Sequence, residues 1–147
     1  MITELQQGKK TRLELYEILE SIEKCADNKL DLIREFANKH ASFSDYLRCT
    51  FDDRITFLLP DGRPPFDPAE EQAYPSTWHK QNSKLKYIVK GLNADNVNPL
   101  RRETIFIGIL ESVHPLDAEI LVDMINKKAP ASLAVETVKA LQEYIIP

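Results

Sequence analysis

The sequence predicts a single all-α domain, and three observations lead to that prediction. Apolar residues recur at three- and four-residue steps through most of the chain, which is the spacing of one face of a helix. No alternating apolar and polar run of useful length indicates a strand. The stretch from Asn98 to Val113 is apolar in almost every direction around a helix, so other helices must enclose it. We therefore expect a compact bundle of about six or seven helices around a buried central helix.

The first half of the chain predicts three helices, of which the first two form a hairpin. The first spans about residues 11–25, the Asp27-Asn28 pair interrupts the chain, and the second helix ends near Lys39-His40. Ser42 or Ser44 is expected to cap the third helix, because a serine oxygen accepts hydrogen bonds from the free N–H groups of a first turn. The residues expected to face inward are Leu13, Tyr16, Ile18, Leu19, Ile22, Leu30, Ile33, Phe36, Ala37, Phe43, Tyr46, Leu47 and Phe51.

A proline-rich segment follows the third helix. Five of the nine prolines lie within residues 60–75, and Asp61-Gly62 is a turn signal. We expect an extended, polyproline-like surface segment there and call residues 60–75 the strap. Two interpretations stay open at this point. Either the strap is a lid or a docking segment that binds a partner through Arg63, Pro64, Pro65 and Phe66, or it is a connector pinned to the core by Phe57, Phe66 and Tyr74.

The second half predicts a helix from Ser76 to Gly91, the central helix, a helix that starts at Pro115, and a last helix after Ser132. Asn98 and His114 are the expected N-caps, since each precedes a proline that suits the first helical position. The residues expected to face inward are Trp78, Leu85, Ile88, Val89, Leu92, Leu116, Ile120, Leu121, Met124, Ile125, Ala134, Val138, Leu141 and Ile145.

Length and composition fit one soluble domain over residues 1–147, with residues 1–10 loose. Cys25 and Cys49 lack metal-site spacing and are expected to be free thiols. No apolar run is long enough to cross a membrane, and the N-terminus lacks the apolar region of a signal peptide. We therefore expect a cytoplasmic protein without membrane contact.

No set of residues matches a catalytic, cofactor-binding or metal-binding pattern. The four glycines, at positions 8, 62, 91 and 108, are scattered and form no phosphate-binding loop. His40, His79 and His114 lie far apart in the sequence. The Asp52-Asp53 pair is interpreted as a helix cap or as a partner for Arg48 or Arg54, rather than as a cation site. The sequence therefore predicts a non-enzymatic protein with no cofactor and no metal.

Charge is unevenly distributed along the chain, although the formal net charge is −4. Residues 76–102 hold six Lys or Arg and one acid, whereas residues 103–147 hold three Lys and seven acids. We call the six cations the basic patch: Lys80, Lys84, Lys86, Lys90, Arg101 and Arg102. The patch is either solvated or paired with the acidic last third, or it binds nucleic-acid phosphates with Trp78 and Tyr87 stacking on bases, or it binds an acidic protein.

Three sequence blocks occur in a distinctive order: FDDRITFLLPDGRPPF at 51–66, KYIVKG at 86–91 and RRETIFIGILESVHPLDAEILVDMINKK at 101–128. Together they resemble a family of small proteins without assigned function from large tailed phages of the T-even type. The resemblance implies a phage accessory protein in the cytoplasm of the infected host, or a virion component. Its expected partner is a host or phage protein, with the transcription or replication machinery as a class.

A looser resemblance concerns the arrangement of the hairpin and the last three helices, which end in AVETVKALQEYIIP. This arrangement is similar to the all-helical DNA-binding domain at the N-terminus of phage ATP-dependent DNA ligases. The resemblance implies a DNA-binding accessory module as the alternative function, with duplex DNA as the partner. In those ligases a glycine-containing junction between the last helices binds a phosphate backbone, whereas the matching positions 111–115 here include Glu111 and Pro115.

Overall fold

The computed structural model describes residues 13–133, and over this range the protein is all-α as predicted. Within these residues, β-type pairing is limited to one isolated antiparallel bridge between Phe57 and Val89. The helix predicted after Ser132 and residues 1–10, which were predicted to be loose, lie outside the described range. The α-helices are α1 Leu15–Lys24, α2 Lys29–Lys39, α3 Ala41–Phe51, α4 Trp78–Gln81, α5 Pro99–Ser112 and α6 Pro115–Ile125, and the 3₁₀ helices are η1 Asn82–Tyr87 and η2 Ala94–Asn96.

One hydrophobic core joins these helices. Trp78 is among its largest fully buried side chains, and the indole Nε1 of Trp78 donates a hydrogen bond of 2.8 Å to the carbonyl oxygen of Ser42. This bond satisfies the polar atom of the buried indole and ties α4 to the first turn of α3. The other buried residues of the helices include Leu15, Ile18, Ile22, Ile33, Phe43, Tyr46, Leu47, Phe106, Ile109, Leu110, Ala118, Leu121 and Met124.

The central helix α5 begins as predicted. The side chain of Asn98 accepts a hydrogen bond of 2.8 Å from the backbone N–H of Arg101, and Pro99 takes the first helical position. Phe106, Ile109 and Leu110 are buried. The expectation that α5 is enclosed on every side is wrong, however, because Thr104 and Gly108 are exposed. Together with Arg101, residues 104 and 108 follow each other at three- and four-residue steps, so they form a solvent-facing stripe.

Helix α6 is capped by His114, as predicted: the Nδ1 atom of His114 accepts a hydrogen bond of 3.0 Å from the backbone N–H of Leu116. The side chain of Leu116 was expected in the core but is 49% exposed. Asp117 is fully buried in its place, and its Oδ1 atom accepts a hydrogen bond of 2.7 Å from the backbone N–H of Tyr16. Asp117 therefore caps the start of α1, which precedes it by 101 residues.

The continuous helix predicted from Ser76 to Gly91 is wrong. One turn of α-helix is followed by η1, and after Tyr87 the backbone pairs with residues 56–58. The N–H of Leu58 donates to the carbonyl oxygen of Ile88 at 2.8 Å, and the N–H of Lys90 donates to that of Thr56 at 2.9 Å. This pairing with a distant segment replaces the helical hydrogen bonds, and Leu92 is 56% exposed instead of buried.

The cap predicted for α3 is also wrong, because this helix begins before both serines. His40 is its N-cap residue and makes no capping hydrogen bond through its side chain. Ser42 lies inside the first turn, and the hydroxyl of Ser44 donates to the carbonyl oxygen of Ala37 at 2.7 Å. The two serines therefore join α3 to its neighbours rather than closing its N-terminus.

Candidate functional site

The strap is held to the surface of α5 and α6 along its length. At its start, Gly62 and Asn126 exchange two hydrogen bonds: the Gly62 N–H donates to Asn126 Oδ1 at 2.9 Å, and Asn126 Nδ2 donates to the Gly62 carbonyl at 3.1 Å. Just beyond its end, the Ser76 N–H donates to the carbonyl oxygen of Ser112 at 2.7 Å. Backbone groups at both ends of the segment are therefore hydrogen-bonded, at the start to the side chain of Asn126 and beyond the end to the backbone of Ser112.

Between these ends, the strap is bound by three carboxylates, one each from α5, α6 and the start of α1. Arg63 forms an ion pair with Glu119 of α6. The Asp67 N–H donates to Glu111 Oε2 of α5 at 2.8 Å. The Tyr74 hydroxyl donates to Glu14 Oε2, at the start of α1, at 2.8 Å. Acidic side chains of three helices thus anchor the proline-rich segment.

The residues proposed as a partner-binding strap are partly occupied by the molecule itself. The Arg63 guanidinium lies over the Phe66 ring, 4.6 Å from its centroid. Phe66 is half-buried and packs against the core, Pro64 is half-buried, and Pro65 is exposed. Of the two interpretations of the strap, these contacts favour the connector, with Phe66 and Tyr74 as the predicted pins.

The basic patch is exposed, apart from Arg102. The side chains of Lys80, Lys84, Lys86, Lys90 and Arg101 form no ion pair with any residue in the range 13–133. The ion pairs between described residues lie elsewhere and join Arg34 to Asp31, Arg48 to Asp45, Arg54 to Asp52, and Arg63 to Glu119. Within the described part of the chain, the acidic last third therefore does not neutralise the patch.

Arg102 has a different role from the other five cations. Its Nε atom donates to the carbonyl oxygen of Leu58 at 2.9 Å, and its Nη1 atom donates to those of Ala94, at 3.0 Å, and Val97. These carbonyls belong to the strand-like segment before the strap and to the turn before α5. The guanidinium therefore joins three segments of the fold and is not free to bind a partner.

Two cations of the patch, Lys84 and Arg101, line one groove between η1 and the exposed stripe of α5. The groove has a volume of about 470 Å³. Lys80, Lys86 and Lys90 do not line it. The groove is lined by Lys84, Tyr87, Val97, Arg101, Thr104, Ile105 and Gly108. Cations thus lie beside an aromatic ring and apolar side chains, which is the composition of a site for an anionic ligand with an apolar part.

Lys84, Arg101 and Tyr87 could be identified from the sequence, whereas the floor of this groove could not. Thr104 and Gly108 belong to a helix that was expected to be buried on every side. The available signal was Gly108 itself, since a glycine inside a helical pattern is unfavourable and indicates a packing or functional reason.

Lys90 lies on the other side of η1, in a second pocket of about 410 Å³ that it shares with Arg48 and Arg54. Both arginines there are paired with acids. Arg54 donates two side-chain hydrogen bonds to Asp52, at 2.9 and 2.8 Å, and these bonds lower the pKa of Asp52 to about 2. The interpretation of Asp52 as a partner for an arginine is confirmed, and the pocket holds fewer uncommitted charges than the groove.

The histidines have partners within the fold. His79 Nε2 lies 2.7 Å from the carbonyl oxygen of Leu13, which can only accept, so Nε2 carries the proton. The other ring nitrogen, Nδ1, then accepts from the hydroxyl of Ser42 at 2.6 Å. This pair has the atoms of a nucleophile and its base and borders a pocket of about 310 Å³, but Ser42 is 4% exposed, so its hydroxyl offers little surface to a substrate. Among residues 13–133, no group of three or more His, Cys, Asp or Glu side chains could hold a metal ion.

A buried acidic pair, which the sequence did not indicate, lies where α1 and α6 begin. Glu14 is 7% exposed and Asp117 is 0% exposed, and Glu14 Oε1 and Asp117 Oδ2 receive no hydrogen bond within the described structure. Burial raises the pKa of Asp117 to about 7, against the lowering effect of the hydrogen bond from Tyr16. In the sequence, Asp117 and Glu119 look alike, since both lie near the start of one helix.

The comparisons with known proteins identify a family whose function is unknown. Residues 17–130 match a family of unknown function (DUF6433). Neither a curated protein nor a solved structure matches the chain. Within residues 13–133, none of the helices combines the length and the apolar character needed to span a bilayer.

Proposed function

We propose that the chain, which belongs to this family of unknown function, is a non-enzymatic accessory protein that binds an acidic protein partner. The supporting observation is the set of five exposed cations of the basic patch, which form no ion pair with described residues. Exposed charges of one sign that have no ion-pair partner attract a partner of opposite charge and disfavour partners of like charge.

The three sequence blocks that resemble phage proteins support the setting of this proposal. We place the protein in the cytoplasm of an infected host, with a component of the transcription or replication machinery as the class of partner. A place in the virion is the alternative location. The matched family carries no assigned function, so the setting rests on the sequence resemblance alone.

A DNA-binding accessory module is the second candidate function, and the same exposed cations favour it. Two features favour a protein partner over duplex DNA. Arg102, which would be a phosphate contact, is bonded to backbone carbonyls instead. The groove beside Lys84 and Arg101 also offers apolar residues, Val97 and Ile105, which a phosphate backbone would leave unused.

Capture of binding partners from a lysate of phage-infected cells tests the proposal with two matched charge reversals. The patch variant is Lys84→Glu with Arg101→Glu, and the control variant is Lys24→Glu with Lys128→Glu, which changes exposed lysines outside the patch. We expect the wild type and the control variant to retain a protein that the patch variant loses. Equal capture by all three chains would remove the patch as the binding surface.

Binding of labelled duplex DNA at about 50 and about 200 mM salt is the second arm of this test, because phosphate contacts weaken steeply over that range. We expect no salt-sensitive binding by the wild type. Tight binding at low salt that the patch variant loses, with no captured protein, would support the DNA-binding module instead.

A further inference from the structure

Gly108 lies in the middle of α5, and no internal feature of the described structure requires a glycine there. Its backbone is helical and does not have the positive φ angle seen at Gly62 and Gly91. A Cβ atom added at Gly108 would meet nothing within 4 Å. Yet glycine inside a helix costs about 1 kcal/mol relative to alanine. A glycine at this position therefore destabilises the isolated fold. The surface next to Gly108 offers the remaining explanation for why a glycine occurs there.

The surface outside Gly108 is the groove between η1 and α5. Gly108 is exposed on the floor of this groove, with Thr104 and Ile105 from the same helix and Tyr87 from η1. A helix without a Cβ at this point lets another chain approach its backbone closely. The glycine and the groove are thus two independent observations at one place, one from the sequence and one from the shape of the molecule.

The charges beside the groove define what fits it. Lys84 lies on the η1 side and Arg101 on the α5 side, and neither has an ion pair in the described range. Between them, Tyr87, Val97 and Ile105 offer apolar contact. An occupant with carboxylates at its ends and an aromatic or aliphatic side chain between them would use every part of this lining.

We propose that this groove is the docking site for a short acidic segment of a partner protein, whose central apolar residue lies over Gly108. The inference rests on the proposed function and specifies it, since it names both the site and the chemistry of the segment. A volume of about 470 Å³ admits a few side chains but not a nucleic-acid duplex. Carboxylates of the segment pair with Lys84 and Arg101, and its apolar residue contacts Tyr87 and Ile105.

Two substitutions of Gly108 test the site without changing any charge. Gly108→Leu fills the groove from its floor, and Gly108→Ala adds one methyl group as the matched control. Because a Cβ atom there meets nothing within 4 Å and the rest of the leucine side chain enters the open groove, we expect both variants to fold with a melting temperature equal to or above that of the wild type. Thermal unfolding of the full chain verifies this before any binding is measured.

Selection from a displayed library of random peptides supplies the probe. We expect the wild type to enrich peptides in which acidic residues flank an aromatic or aliphatic residue. Gly108→Leu should bind the enriched peptides about tenfold or more weakly, a loss of about 1.4 kcal/mol or more, and Gly108→Ala should lie between the two. Equal enrichment by the wild type and Gly108→Leu would overturn the docking site, and so would the absence of acidic peptides among those enriched by the wild type.

The partner captured from infected cells separates this inference from the proposed function. A partner lost with Lys84→Glu and Arg101→Glu but retained by Gly108→Leu would leave the patch as the binding surface and overturn the groove. A single-stranded oligonucleotide that binds the wild type and is excluded by Gly108→Leu would show that the groove takes nucleic acid, and would overturn the acidic segment as its occupant. Loss of the captured protein with both variants is the expected result.

Discussion

Adjacent residues of the same type differ in role in this protein, and Arg101 and Arg102 are the clearest case. Arg101 is exposed beside the groove, whereas Arg102 donates to three backbone carbonyls. The sequence placed both in one basic patch because charge and spacing were the available signals. It could not show that the carbonyl oxygens of Leu58, Ala94 and Val97 surround one guanidinium, because only the folded chain brings these segments together.

Replacing each arginine by alanine should therefore have unequal effects on stability. We expect Arg102→Ala to lower the free energy of unfolding by about 2 to 3 kcal/mol, because partly buried carbonyls lose a charged donor. Arg101→Ala should leave it within about 0.5 kcal/mol of the wild type, as for most exposed positions. Urea denaturation of the two variants measures both values, and equal losses would contradict the role given to Arg102.

Asp117 predicts a specific dependence of stability on pH. Burial raises its pKa to about 7 in the folded protein, above the value of about 3.9 of an unfolded chain. Between these values the folded protein holds a proton that the unfolded chain releases. The contribution of Asp117 is therefore fully present at low pH, and the free energy of unfolding falls as pH rises towards 7, by at most about 1.4 kcal/mol per pH unit.

Asp117→Asn removes this titration, so its stability relative to the wild type should improve as pH rises from about 5 to about 7. Urea denaturation at several pH values measures the difference. Asp123→Asn, at an exposed position of the same helix, serves as the control and should follow the pH curve of the wild type. Parallel curves for the wild type and Asp117→Asn would show that Asp117 is ionised throughout this range.

At the scale of elements, the sequence predicted best where a few adjacent residues decide the outcome. The caps of α5 and α6 were correct because Asn98-Pro99 and His114-Pro115 carry both the acceptor and the proline of a helix start. The helix over residues 76–91 was wrong because Leu58 and Thr56 take its hydrogen bonds, and no local pattern reveals that pairing. The residues that anchor the strap also lie far from it in the sequence, so no local pattern reveals those contacts either.

Two glycines should respond to the same substitution with opposite signs. Gly91 has a φ angle of +91°, which alanine adopts with strain, so Gly91→Ala should lower the free energy of unfolding by about 1 to 2 kcal/mol. Gly108 is helical with open space around it, so Gly108→Ala should raise it by up to about 1 kcal/mol. Melting temperatures of the two variants test this prediction. A lower melting temperature for Gly108→Ala would show that packing within the fold requires a glycine at this position.

The anchors of the strap should differ in strength. Tyr74→Phe keeps the ring but removes the donor to Glu14, a buried carboxylate, and should lower the free energy of unfolding by about 1 to 2 kcal/mol. Arg63→Ala removes an ion pair between half-exposed side chains and should change it little. Hydrogen exchange of the strap amides, compared with those of α3, shows whether the loss is local. An equal or larger effect of Arg63→Ala would contradict this order.

For the molecule as a whole, the sequence identified one helical core and an exposed basic surface. Periodicity indicates which apolar residues are buried, and charge indicates which side chains stay in water, with Glu14 and Asp117 as exceptions. The floor of the groove did not follow, because Thr104 and Gly108 become a surface through the way α5 packs against η1. A candidate site built from two elements needs their relative placement, which a single sequence does not contain.

The two thiols report on the stability of the whole fold. Cys49 is 3% exposed, and burial raises the pKa of its thiol to about 12, so the reactive thiolate is scarce. Cys25 is half-exposed. We expect an alkylating reagent to modify Cys25 in the folded protein and Cys49 at the rate of global unfolding. A Cys25→Ser variant isolates the second reaction, and modification of Cys49 without denaturant, faster than unfolding, would contradict a single cooperative core.

The hydrogen bond from Tyr16 to Asp117 also sets an order of events during protein synthesis. Ribosomes add about 5 to 20 residues per second, so the 101 residues between the two partners take roughly 5 to 20 seconds to make. For that time the nascent chain carries α1 without the carboxylate that caps it and without α6 to cover its apolar face. The earliest described helix is therefore among the last to be completed, and chains that stop before Asp117 expose it to chaperones and proteases.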